Sequence, residues 1–417
     1  MTLVGQALNV SCFASYVSIL RDEVPSLINS TKHKKISSRA QQVRPFYVMD
    51  LLARAKQLEA EGQPVLHLEV GEPDFPTPKP VIDAGIKALS QEKTHYTAAP
   101  GLPELRRAIA GHYQRKFNIQ VDPGRIIVTP GASGALQLAL SLLVDSGDNV
   151  LLTDPGYPCN RNMVRLLGAD ITAVPVDATT QFQMHANHIN EYWNERSVAA
   201  MIASPSNPTG TRISDSDLNS LIEAVNKVNG SLVVDEIYQG LVYADTDSTA
   251  LAKSDELFVI NSFSKYFGMT GWRLGWLVVP EVFIDAADRI AQNIFLSAPT
   301  VSQHAALAAF TAETEAVLQS RVEEFNQRRQ YLLPALREMG FDIPVEPEGA
   351  FYIYADCSAI TKDSFQWCKQ VLEDIAVAIT PGIDFGEHRA STHVRFAYTR
   401  PVDQLEQACD RIANYIK

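Results

Sequence analysis

Between positions 125 and 279, short apolar runs of strand length alternate with stretches of helical periodicity. The runs are RIIVTP (125–130), NVLLTD (149–154), ITAVPV (171–176), AAMIAS (199–204), SLVVDE (231–236), FVINSFS (258–264) and LGWLVV (274–279). Turn signals separate them, so the pattern predicts an α/β layer structure. Upstream, Val48, Leu51, Leu52, Ala55 and Leu58 recur at helical spacing over 46–62, and Gly62 supplies the stop. VLHLEVGEPDF (65–75) alternates briefly before Gly71, Pro73, Pro76, Pro78 and Pro80 impose an extended crossing. Pro103 then opens a helix through Leu105, Ile109, Ala110, Tyr113 and Phe117. From about residue 319 the order changes to a long charged helix, the strand AFYIYA (350–355), a helix, HVRFAY (393–398) and a final helix. That tail predicts a second, smaller α+β domain.

Bulk properties narrow the function. The 417 residues carry a net charge of -12 with a pI near 5.3, which argues against a general nucleic-acid binder. The longest apolar run, LQLALSLLV (136–144), is too short to cross a bilayer, so no membrane span is expected. The five cysteines, Cys12, Cys159, Cys357, Cys368 and Cys409, are scattered, with no CxxC spacing and no nearby histidine pair. They read as reduced, buried thiols of a cytoplasmic protein, and no metal site is expected. Residues 1–35 read as an N-terminal extension without the basic start of a signal peptide, either disordered or a translation-start artefact.

The segment SFSKYFGMTGWRLGW (262–276) sets Lys265 just after a strand, with hydroxyls before it and Arg273 eight residues on. An isolated lysine at a strand end ordinarily faces solvent. A Schiff-base lysine, by contrast, needs a neutral amine, which burial or nearby positive charge favours. Tyr266, Phe267 and Arg273 offer both. Asp235 ends the apolar run SLVVD, where a carboxylate is unfavourable unless it meets a cation. A magnesium-holding nucleotidase could use such an aspartate, but no GxxxxGK[ST] loop accompanies it. SPSNPTG (204–210) is a strong turn former. RIIVTP followed by Gly131-Ala132-Ser133-Gly134 and a helix start offers backbone N–H groups and a positive helix end to an anion. In HVRFAY, alternation places His393, Arg395 and Ala397 on one face. The guanidinium fork of Arg395 suits either a structural ion pair or a bound carboxylate.

S-x-S-K-x-F-G-M-T-G-W-R-L-G-W resembles the cofactor-lysine signature of class I/II aminotransferases, the fold type I pyridoxal-phosphate enzymes, and the likeness runs over nearly everything after residue 35. It implies an α/β fold of two parts. One is a large cofactor-binding domain over 76–314 with a mostly parallel central sheet flanked by helices. The other is a smaller α+β domain built from both chain ends, 36–75 and 315–417. It implies pyridoxal 5'-phosphate as cofactor, held covalently by Lys265, which then moves a proton at the substrate Cα. Ser262, Ser264 and Arg273 would bind the phosphate, with Ala132 and Ser133 as a second clamp. Asp235 would meet the protonated ring nitrogen and keep the ring an electron sink. Asn207 and Tyr238 would bond the phenolate oxygen, and Tyr157, unless an ordinary core aromatic, would lie on the ring face. Arg395, assisted by the N–H of Gly71 and by Asn207, would take the substrate α-carboxylate. Tyr96 would reach the phosphate of a neighbouring subunit, which implies a homodimer with shared active sites.

The activity this implies is transfer of an amino group between an L-amino acid and a 2-oxo acid. A lyase reaction on the same scaffold, or an amino-acid sensor without activity, are the alternatives. No helix-turn-helix or basic stripe supports the sensor. Several aspartate-specific relatives carry a lysine for the distal carboxylate where this chain has Ser133. With Phe351, Tyr352 and Trp272 in motifs near the expected pocket, neutral or aromatic donors fit at least as well.

Overall fold

Seven strands form the central sheet of the protein, seen in a computed structural model that describes residues 35–244 and 246–417. The strands are β2 (Ile126–Thr129), β3 (Asn149–Asp154), β4 (Asp170–Pro175), β5 (Ser197–Ala203), β6 (Ser231–Asp235), β7 (Phe258–Ser262) and β8 (Gly275–Val278), and β1 (Leu66–His67) precedes them in the chain. Their order is β2-β8-β7-β6-β5-β3-β4. Only β8 runs against its neighbours, pairing antiparallel with β2 and β7. Each expected strand of this region is present, with its ends as expected or displaced by one or two residues.

The strands are near-continuous apolar runs because both faces of a mostly parallel sheet are buried. Alternate residues feed two cores. Val128, Leu151, Ile202, Val234 and Val259 point into one, and Ile127, Leu152, Met201, Val233 and Ile260 into the other. The second core is closed by helices Gly131–Leu143 and Ile284–Ile294 through Ala135, Leu138, Ala287 and Ala291. The first is closed by Leu105, Ile109 and Tyr113 of helix Pro103–Phe117 and by Leu218 and Leu221 of helix Asp215–Lys227.

That first core continues into a three-stranded antiparallel sheet of β9 (Tyr352–Asp356), β11 (Thr380–Pro381) and β12 (His393–Ala397), in the order β11-β12-β9. The two ends of the chain meet where β1 pairs parallel with β10 (Val377–Ala378), Leu66 opposite Val377. The long charged helix expected from about 319 begins earlier and runs Ala312–Glu338; Thr311 accepts from Thr314 N as its cap. Residues 42–417 form one compact unit that holds all three sheets, while residues 35–41, carrying most of the short helix Ser38–Gln42, belong to a separate one. Apart from Lys35, the expected N-terminal extension lies outside the described residues, as does Cys12. No helix among the described residues is long and apolar enough to cross a membrane.

Two local expectations are corrected. VLHLEVGEPDF forms only a two-residue strand, because β1 pairs with β10 alone and β10 is itself only two residues long. The Gly131-Ala132-Ser133-Gly134 stretch is not a loop ahead of the helix but its first turn, since helix Gly131–Leu143 starts at Gly131 itself.

Candidate active site

The parallel strands deliver their C-terminal ends to one edge of the sheet, the place where open α/β sheets present ligand sites. Beyond that edge lies a cavity of about 260 Å3, lined by Gly71, Ala132, Ser133, Tyr157, Asn207, Asp235, Tyr238, Lys265 and Arg395 among others. Nine residues singled out from the sequence therefore converge there. Ser262, Ser264 and Arg273 are not in the lining, nor is Tyr96, which is 81 % exposed.

Lys265 follows β7 in a tight turn closed by Gly268 N to Lys265 O at 3.1 Å and Met269 N to Phe263 O at 2.9 Å. Phe263, Phe267 and Trp276 pack ring against ring beneath that turn and hold it. The Lys265 amine donates to the carbonyl of Gly71 at 2.6 Å and stands 5.9 and 5.8 Å from the rings of Tyr238 and Phe351. Burial pushes its pKa down to about 8; Arg395 and Arg273 add to the fall, while Glu72 and Asp235 oppose it. A Schiff-base amine needs this state.

Asp235 ends β6, is 8 % exposed, and accepts from Ile237 N at 3.0 Å. Burial raises its pKa to about 6, against the pull of that N–H and of Lys265. A buried carboxylate with one backbone donor and room in front of it is suited to a cationic ring nitrogen. Tyr238 shares a hydrogen bond of 2.8 Å with Tyr352 and, by burial first, is held as a phenol. Tyr157 caps helix Pro158–Leu166 and turns its ring to the cavity.

Arg395 lies on β12 opposite Thr380 of β11 and Tyr354 of β9. Its guanidinium is sandwiched between the rings of Tyr352, at 4.2 Å, and Phe385, at 4.9 Å. It donates to Asn207 Oδ1 at 2.8 Å, to Thr380 Oγ1 at 3.3 Å and to the carbonyl of Glu69, while its buried Nε finds no partner among the described residues. No carboxylate is bonded to it, so of the two sequence readings the geometry fits a cation awaiting an anion. Gly71 must be glycine because a Cβ there would stand 2.0 Å from the Tyr352 hydroxyl.

Gly131 has φ +72, and a Cβ on it would come within 2.6 Å of Arg273 NH2. Arg273 itself holds φ +53, a strained value for a non-glycine residue, and donates to Thr270 O at 3.1 Å. The result sets a guanidinium against the N-terminal end of helix Gly131–Leu143, which is a cradle for a dianion. Ser262 accepts from Ser264 N at 3.0 Å, which braces the turn before Lys265.

A buried lysine of lowered pKa, a buried carboxylate, a tyrosine hydroxyl and a guanidinium at a helix start are thus present together, and this donor set fits pyridoxal 5'-phosphate. The sequence reading missed Glu69, Asp384 and Phe385. Glu69 is fully buried, with Oε1 2.7 Å from His67 Nδ1 and its carbonyl on Arg395. It also missed an apolar wall of Phe46, Val48, Met49 and Leu52 at the start of helix Tyr47–Ala60. A signal existed: Val48 and Leu52 lie one turn apart, beside the core stripe of Leu51, Ala55 and Leu58. Two expectations are corrected here. Trp272 does not line the cavity; its indole donates to Thr77 Oγ1 at 3.0 Å and packs against Gly85. Cys159 is not a fully buried thiol, since it sits in the cavity wall; Cys357, Cys368 and Cys409 are buried as expected.

Comparison with known proteins gives the same answer. The family described as "Aminotransferase class I and II" matches residues 63–412. A valine–pyruvate aminotransferase of Mycobacterium tuberculosis is 40% identical over 90% of this chain and 97% of its own length. An aspartate aminotransferase of Thermotoga maritima is 32% identical over 91% and 99%. A solved aminotransferase structure from Mycobacterium tuberculosis superposes with a TM-score of 0.90 at 39% identity, covering 92% of this chain and 99% of that one. Aspartate aminotransferase from Thermus thermophilus with maleate superposes at 0.87 and 32% identity, covering 92% and 100%. The fold type I architecture, the cofactor and the transferase activity expected from Lys265 and its neighbours agree with these matches, and the chain belongs to the class I and II aminotransferases, enzymes that depend on pyridoxal 5'-phosphate.

Proposed function

We propose that this aminotransferase takes its amino group from a neutral, largely apolar L-amino acid, and that it acts in the cytoplasm as a homodimer with shared active sites. The observation that carries the donor class is the cavity lining. Phe46, Val48, Met49 and Leu52 form its outer wall, its lining cations are Lys265 and Arg395, and Ser133 offers no charge to a second carboxylate. The name of the valine–pyruvate relative is in keeping with such a donor.

Bound pyridoxal phosphate supplies an electron sink for the electrons released at the substrate Cα. The chain supplies the rest. Arg395 pairs with the α-carboxylate through its planar fork, and Asn207 and the Gly71 backbone orient it. Lys265, as a neutral amine, accepts the Cα proton and would return it two atoms along, to the cofactor carbon on the far side of the amino nitrogen. Asp235 would hold its charge against the ring nitrogen. Arg273, Ser262, Ser264, Ala132 and Ser133 would hold the phosphate, Asn207 and Tyr238 would bond the phenolate oxygen, and Tyr157 would cover the ring.

An exposed apolar stripe supports the dimer. Ile82, Ile86 and Leu89 lie along the outer face of helix Lys79–Ser90, and Tyr96 follows them at 81 % exposure. Tyr96 then reaches the partner's phosphate. The free cysteines Cys159, Cys357, Cys368 and Cys409 suit a reducing compartment. We read 36–75 with 315–417 as the small domain and 76–314 as the large one, supported by the β1–β10 pairing that joins the chain ends.

The test is a panel of amino donors and 2-oxo acids with purified holoenzyme, read by product identity. Valine, leucine or phenylalanine should outrank aspartate, with the matching 2-oxo acid as product. Ammonia and pyruvate released from serine or cysteine, donors with a β leaving group, in place of transfer products would point to elimination and sink this reading. Lys265→Ala should abolish borohydride-reducible cofactor attachment and nearly all turnover; retained attachment would remove Lys265 from its role.

A further inference from the structure

The apolar wall of the cavity depends on one carboxylate from far along the chain. Helix Tyr47–Ala60 has no cap of its own, because its N-cap residue, Phe46, offers no polar side chain to the N–H groups of the first turn. The acceptor is Asp384, 337 residues away in sequence, whose Oδ1 takes the N–H of Tyr47 at 2.7 Å; the N–H of Val48 bonds to the same side chain. Asp384 is 5 % exposed and lines the cavity.

Its charge faces two cations. The Arg395 guanidinium stands on the cavity side, and Arg161 lies on the other, donating to the carbonyls of Asp384 at 3.1 Å and Phe385 at 2.7 Å. Phe385, the next residue, packs its ring against Arg395. One short segment thus touches both the cation for the α-carboxylate and the helix end that carries the wall. Apolar contact falls away steeply over a gap of about 0.5–1 Å, so where this helix starts decides how closely the wall meets a substrate side chain.

We infer that Asp384 is a positioning residue which sets the first turn of helix Tyr47–Ala60 relative to Arg395, and thereby how well the site distinguishes a long apolar side chain from a short one. This rests on the reading of the cavity as a site for apolar donors. A negative side chain at a helix N-terminus is stabilising in itself. What is specific here is that the cap comes from the short turn after β11, whose next residue, Phe385, packs on Arg395.

The test uses the holoenzyme with leucine and alanine as donors, together with amide hydrogen exchange over residues 47–49. Asp384→Ala should speed that exchange and lower the leucine-to-alanine ratio of kcat/KM, each by about five-fold, the factor that matches loss of a helix cap of about 1 kcal/mol. The change in ratio should arise in KM more than in kcat. Asp384→Asn keeps an oxygen that can accept the same N–H groups, and should restore most of both. Tyr47→Pro removes the N–H at a first-turn position that tolerates proline, and is read against Tyr47→Ala, which loses the same ring but keeps the N–H. Proline should lower the ratio relative to alanine, which also tests the idea if Asp384→Ala fails to fold. Unchanged exchange in Asp384→Ala, or a leucine preference that survives both Asp384→Ala and Tyr47→Pro, overturns the inference alone. A wild-type enzyme with no leucine preference overturns the donor reading and this inference with it.

Discussion

At the residue scale, the chemistry rests on two buried groups shifted in opposite senses. Asp235 is raised by burial to about 6 from 3.8. The folded state therefore binds more protons than the unfolded chain between those values, and the stability tied to this group falls as pH rises through that window. Above it the charge is held at a cost that cofactor binding relieves. Asp235→Asn should then raise the melting temperature of the cofactor-free protein at pH 7 by roughly 2–4 °C, yet lose the extra stabilisation from added pyridoxal phosphate. Calorimetry with and without cofactor checks both halves, and a lower melting point for the cofactor-free variant would contradict the first. Lys265 is lowered to about 8 from 10.5, so the unfolded chain binds more protons between those values and stability rises with pH there. The rate of cofactor attachment to cofactor-free enzyme, trapped by borohydride, should climb with pH and level off near 8 rather than 10.5. Both residues were legible because a charged group directly after an apolar run is locally anomalous. Asp384 and Glu69 were not, since nothing near them in sequence reveals that Tyr47, 337 positions away, or Arg395 would be their partners.

At the element scale, the strands were readable because both faces are buried and each became a run of apolar residues. The ends were less so, since a ladder stops where its neighbour stops, as β1 shows. The glycine stretch, expected as a loop, is the first turn of helix Gly131–Leu143, wedged against Arg273. Gly131→Ala would add a Cβ 2.6 Å from Arg273 NH2 at a backbone of φ +72. Affinity for pyridoxal phosphate should fall at least about ten-fold, a factor that needs only about 1.4 kcal/mol, while affinity for pyridoxal, which lacks the phosphate, changes less. Calorimetric titration of the two ligands separates a damaged cradle from a damaged fold.

At the scale of the whole molecule, the exposed stripe of Ile82, Ile86 and Leu89 asks for cover. If a second copy provides it, Ile86→Glu should shift sedimentation toward the monomer and lower activity with it, because Tyr96 would no longer reach its partner's site. A monomeric wild type would refute the shared-site proposal. The amino-acid sequence by itself determined the α/β class and the cofactor and singled out nine residues that line the cavity, because strand periodicity and the Lys265 and Asp235 segments are local patterns governed by local physics. Only the tertiary structure decided the rest. It is the folded chain that bonds Arg395 to neutral acceptors alone among the described residues, turns Phe46, Val48, Met49 and Leu52 over the cavity, and hangs that wall on Asp384. These depend on contacts between residues hundreds of positions apart, and such contacts exist only once the sheets have packed.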